Sequence, residues 1–165
     1  LALLAGLGSA VLAQEEPADP MAPVLVTGTM ELGPYTDYGT ETCDAAGVCR
    51  IVGQQGSFTY EASDPRLDGE VTFTTNVLSY EQPTGGIYVN LSTRVLGNDD
   101  GRWVGTDTGL AAPGVDMEFI VMQGEGAYEG LTAVVREDWS KNPPTFVGAI
   151  VPSDKLPDPI EPPAE

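Results

Sequence analysis

The run GEVTFTTNVLSY at residues 69–80 sets Val71, Phe73, Thr75 and Val77 against Glu70, Thr72, Thr74 and Asn76. Apolar and polar side chains alternate with a period of two, as in a strand with one face buried, not with the 3.6 of a helix. Seven further segments have strand character, at 24–32, 56–62, 86–96, 102–109, 115–123, 128–139 and 145–151. Each is rich in Val, Ile, Thr, Phe or Tyr. Turn residues separate them, among them Asp64-Pro65, Pro83-Thr84-Gly85-Gly86, Asn98-Asp99-Asp100-Gly101, Ala112-Pro113-Gly114, Gly124-Glu125-Gly126 and Asn142-Pro143-Pro144. No segment carries a convincing helical period. Strands at this spacing without helical crossovers predict an all-β domain, an eight-stranded antiparallel β-barrel that leaves no exposed edge, with a β-sandwich as the alternative.

The alternation also assigns faces. Ile87, Val89, Leu91, Thr93 and Val95 oppose Tyr88, Asn90, Ser92 and Arg94, while Val115, Met117, Phe119 and Val121 oppose Asp116 and Glu118. In each case the apolar set is expected inside and the polar set outside. On that basis Trp103, Gly105, Asp107 and Gly109 share an inward face, as do Leu131, Ala133, Val135, Glu137 and Trp139. Asp107 and Glu137 are then carboxylates pointing into the core near one rim. No basic residue is expected beside them, since Arg136 projects oppositely.

The chain has 165 residues, 25 acidic and 7 basic, so its formal charge is 7 − 25 = −18, and it contains no histidine. The absence of histidine excludes a Ser-His-Asp triad, a Cys-His pair and His-ligated zinc. Seven scattered basic residues form no patch for phosphates, so no nucleic-acid partner is expected. With 41% hydrophobic and only 19% charged residues the chain is globular rather than an acidic disordered one. No phosphate-binding loop, dinucleotide fingerprint or metal cluster points to a cofactor.

Leu1 to Ala13 is an uncharged apolar run followed at once by Gln14-Glu15-Glu16-Pro17. It reads as the remnant of a secretory signal peptide, too short to span a bilayer at about 20 residues, so the mature protein is expected to be secreted and not membrane-inserted. Residues 14–23 form a flexible linker, 24–151 the folded domain, and 152–165 an acidic, Pro-rich disordered tail. In an oxidising compartment Cys43 and Cys49 are expected to pair; a redox or metal-binding role finds neither a C-x-x-C spacing nor a third soft ligand.

Gly124-Glu125-Gly126-Ala127-Tyr128-Glu129-Gly130-Leu131 is a G-x-G-x-aromatic-x-G segment joining two strands, with Trp103-Val104-Gly105-Thr106 upstream. Its glycines permit positive φ in the turn, and the aromatic pins the next strand. This segment resembles the allene oxide cyclase and dirigent-like barrel superfamily, and looks closest to its secreted bacterial members of uncharacterised role. The resemblance covers about residues 57–151. It implies an eight-stranded antiparallel barrel that often holds an apolar ligand in its lumen. Only the hairpin matches, so catalytic residues do not transfer.

Two local patterns carry less. Asn98-Asp99-Asp100-Gly101 lacks the alternating ligands and distal Glu of a calcium loop and is a hairpin turn, while the sequon at Asn90 lies inside a strand. Three functions stay open. The first is a secreted barrel binding an apolar small molecule, with Thr75, Thr93, Trp103 and Trp139 as lining residues. The second is a cofactor-free cyclase or isomerase using Asp107, Glu137 and Tyr60, whose burial would raise a carboxyl pKa toward general-acid duty. The third is an extracellular structural or adhesive module whose interior is filled by Phe58, Phe73, Phe119, Trp103 and Trp139.

Overall fold

The structure is a computed structural model that describes residues 19, 21–81 and 85–157. The leader reading for 1–13, most of the two tails and part of the turn at 83–86 lie outside them. Nine strands follow in chain order, β1 (Val24–Asp37), β2 (Thr40–Cys43), β3 (Val48–Ala62), β4 (Gly69–Tyr80), β5 (Ile87–Gly97), β6 (Gly101–Ala112), β7 (Val115–Gly126), β8 (Leu131–Asp138) and β9 (Thr145–Pro152). The described residues contain no α-helix, only 3-10 turns at Pro65–Leu67 and Ser153–Lys155. All strands join one antiparallel sheet, ordered β1-β9-β8-β7-β6-β5-β4-β3-β2.

A further pairing closes that sheet on itself. The first part of β1 runs beside β9, from Val24 opposite Ile150 to Thr29 opposite Thr145. From Gly28 onward β1 also pairs with β3, Gly28 opposite Ala62 and Leu32 opposite Phe58. Eight strands therefore form a ring, and the ninth, β2, is a short flap on β3 that the sequence reading missed. There Cys43 lies directly opposite Cys49, and the two form a disulfide. β1 and β3 run beyond the expected 24–32 and 56–62, carried through Gly33-Pro34 and the Gly- and Gln-rich stretch at 53–56 by irregular pairing. Ordered chain also runs past residue 151, since Ser153 donates its backbone N–H to Gly130 and its hydroxyl contacts Thr132.

One end of the ring is plugged. Leu67, Trp103, Leu96, Val71 and Leu131 are buried there, each large apolar side chain contributing about 1.5–3 kcal/mol. Trp103 stacks on Tyr128 with ring centroids 5.1 Å apart, and its indole N–H donates to the Arg66 carbonyl at 2.7 Å. This explains the G-x-G-x-aromatic-x-G segment: Gly126 and Gly130 take φ of +69° and +82°, and a Cβ on Gly124 would overlap the Tyr128 carbonyl. The Tyr128 hydroxyl donates to the Asn98 side chain at 2.7 Å. The same Asn98 oxygen accepts from the amides of Asp100 and Gly101, so the loop at 98–101 is a capped hairpin turn.

The expected faces hold for β4, β6 and β8 but are reversed on β5 and β7. Leu91 and Phe119 are 60% and 59% exposed on the outside, while Ser92 and Arg94 are buried inside and Ile120 and Met122 supply the apolar interior of β7. Thr93 is consequently on the outer face, exposed. Directly opposed residues of neighbouring strands share a face, and Asp107 is opposite both Ser92 and Ile120. Once Asp107 points inward, the polar side of β5 must too.

Candidate functional site

Arg94 is the only inward-facing cation among the described residues of the ring, and three carboxylates surround it. Its Nε donates to Asp107, its Nη2 to Glu118, and its Nη1 to Glu137 at 2.6 Å. Four strands meet at this point, β5 with Arg94, β6 with Asp107, β7 with Glu118 and β8 with Glu137. Phe58 of β3 covers the guanidinium, 5.1 Å from its carbon to the ring centroid. The expectation that the inward acids lack a basic partner is thus corrected. It followed from placing the polar side of β5 outside.

The carboxylates also accept from uncharged donors. Glu137 accepts from the Tyr60 hydroxyl and, at 2.9 Å, from the Trp139 indole. Asn90 reaches across β6, donating to Asp107 at 3.1 Å and Glu118 at 3.0 Å. Glycine at 109 makes that crossing possible, because a Cβ there would overlap the Asn90 side-chain oxygen. Thr75 accepts from Ser92 at 2.9 Å. Among the described residues no buried side-chain polar atom is left without a partner.

Burial and charge set the proton balance. Desolvation raises the Glu137 carboxyl, against the lowering influence of Arg94 and of the bonds from Tyr60, Trp139 and Arg94. Burial also pushes the Tyr60 phenol well up, aided by the Glu137 charge. For Arg94 burial works toward deprotonation, but Glu137, Tyr60 and Asp107 outweigh it and hold the guanidinium above its ordinary value.

Above this network lies a cleft of about 600 Å³, opening at the end of the ring opposite the plug. Leu32, Tyr35, Tyr88 and Lys141 stand at its exposed mouth, Phe58, Phe73 and Trp139 form aromatic walls, and Thr75, Ser92, Arg94 and Glu118 form the floor. Asp116 lines it nearer the mouth, its carboxyl raised by burial and by the neighbouring Asp138.

The residues anticipated from sequence separate into groups. Thr75 and Trp139 line the cleft. Asp107, Glu137 and Tyr60 come together as expected, but beneath the floor, where none of them lines the cleft. Trp103 is locked into the plug at the far end, and Thr93 lies outside the ring, so neither is a lining residue. Phe119 fills no interior space, being on the outer face. Arg94, Glu118, Asn90 and Ser92 were missed. The signal for them was the hairpin register, which carries the inward position of Trp103 to Leu96 and on to Arg94. Compared against family models, curated proteins and solved structures, the chain matches none.

Proposed function

We propose that this protein is a secreted β-barrel of the allene oxide cyclase and dirigent-like type that binds an apolar small molecule in its lumen. The observation that carries the reading is the cleft, whose volume falls within the 300–1,000 Å³ usual for ligand sites and whose aromatic walls stand over a small polar floor. The disulfide is compatible with an oxidising compartment. An enzymatic role for Asp107 and Glu137 is less well supported. Their oxygens are committed to Arg94, Asn90, Tyr60 and Trp139, so proton transfer to a substrate requires dismantling the network beneath the floor.

The test is displacement of an environment-sensitive apolar dye, combined with native mass spectrometry of protein purified from its own host. The wild type should bind the dye and carry a small molecule released by organic extraction. Thr75→Phe, which projects a ring into the cleft, should lose the dye while keeping its β circular dichroism. Wild-type protein that neither binds dye nor carries added mass would reject the reading.

A further inference from the structure

We infer that the cleft selects its ligand by charge, accepting an apolar body that bears a protonated amine and disfavouring the same body bearing a carboxylate. This rests on the small-molecule reading above and names the class of ligand.

A buried arginine in a ligand cleft ordinarily serves as an anion hook, because its planar fork matches a carboxylate. Three of the five Arg94 N–H groups are already taken, and the other two sit on a side chain with almost no exposed surface. Each of its three nitrogens already donates to a protein carboxylate, Phe58 covers one face, and the side chain is only 4% exposed. The charge balance around it is negative. Even with the Glu137 carboxyl protonated, Asp107 and Glu118 are two carboxylates facing one guanidinium.

Glu118 is the member of the network that reaches the cleft, with 17% of its side chain exposed. Its Oε1 accepts from Asn90 and its Oε2 from Arg94, which leaves acceptor capacity on both oxygens, since a carboxylate offers about four lone-pair directions. Asp116 adds a second acid on the path from the mouth. Lys141, the other cationic lining residue, is 59% exposed at the rim and lies 3.7 Å from Asp138. The aromatic faces of Phe73 and Trp139 attract a cation and not an anion. A net charge of −18 adds long-range steering of the same sign.

The experiment is calorimetric titration of the full chain at neutral pH with three probes of one shape: naphthylmethylamine, naphthylmethanol and naphthoate. The ammonium should bind about ten-fold or more tighter than naphthoate, with the alcohol between them. Binding should move the indole N–H resonance of Trp139 and leave that of Trp103 in place, which separates the cleft from diffuse attraction to an acidic surface. In Glu118→Gln the ammonium preference should collapse while the alcohol binds as before. Should that variant fail to fold, Asp116→Asn should reduce the preference in part, and the wild-type ranking still decides. An alcohol that binds, with naphthoate as tight as the ammonium or tighter, overturns the charge selection and leaves the small-molecule reading standing. Failure of all three probes overturns both.

Discussion

Replacing Arg94 by Met removes the single charge that holds three acids together while keeping the length of the apolar stem. The side chains of Asp107 and Glu137 are 0% exposed, so solvent cannot take over from the guanidinium. Breaking a buried pair in this one-sided way costs about 3–5 kcal/mol, because it leaves uncompensated charge in a poorly polarisable interior. A domain of this size has only about 5–15 kcal/mol of stability in all. The expected consequence is a fall in Tm of about 10–20 °C at neutral pH. Arg94→Lys keeps the charge but cannot offer three fixed donor directions, and should fall between the two. The loss should depend on pH, with a sign set by Glu137. Its carboxyl is already raised in the folded wild type, and Arg94 is the strongest influence holding it down. In Arg94→Met it rises further, so the folded variant gains proton-linked stability below that higher value, and its deficit shrinks as pH falls toward the ordinary Glu range. Urea titrations followed by circular dichroism at neutral pH and near pH 4 measure both effects. A loss below about 1 kcal/mol at neutral pH, or a deficit that does not change on acidification, would refute the argument that Arg94 stabilises the fold as a counter-charge.

Glu137→Gln removes a buried charge and yet should destabilise by about 1–3 kcal/mol, because Glu137 accepts from three donors and an amide turns a donor toward at least one of them. The wild type alone gains stability as pH drops through the raised Glu137 value, so the gap between the two urea midpoints should widen in acid; a more stable variant would show that the charge is the dominant cost. Gly109→Ala should displace Asn90 from Asp107 and Glu118 and lower stability by about 1–3 kcal/mol, and an unchanged denaturation midpoint would mean that this crossing is dispensable. The double Cys43→Ser, Cys49→Ser variant should lose about 2 kcal/mol or less, since the closed loop is short, and should keep its ring because β2 lies outside it; loss of the β spectrum on thermal scans would contradict that.

The eight strands of the ring, the faces of β4, β6 and β8 and the convergence of Asp107 and Glu137 were legible in the sequence because each follows from local alternation, whereas the short β2 was not. The faces of β5 and β7 were not. Alternation distinguishes two sides of a strand, and the apolar one is normally taken as inner. Here the inner side of β5 carries Asn90, Ser92 and Arg94, so hydrophobicity points the wrong way. Register was the better guide. The hairpin at 98–101 sets Leu96 opposite Trp103, and the turn at 113–114 sets Glu118 opposite Gly109. With Trp103 and Gly109 inside, Arg94 and Glu118 follow. The cleft itself had no local signature, since its walls come from strands distant in sequence.

The way the ring closes has a consequence for how the chain reaches it. From β3 to β9 every strand pairs with its predecessor, so these contacts assemble as a succession of local hairpins. Closure is different, because Val24 must find Ile150 and Gly28 must find Phe146 across almost the whole chain. Pairings of such long range are slow to form. Until that pairing forms, one edge of β1 and one of β9 lie open, and an open edge is a template for another chain. A ribosome-bound chain therefore carries its meander unsealed until residues 145–150 emerge. Added β1 peptide, Val24 to Asp37, should then slow aggregation of a refolding variant that lacks that strand, and no effect of the peptide would locate the vulnerable edge elsewhere.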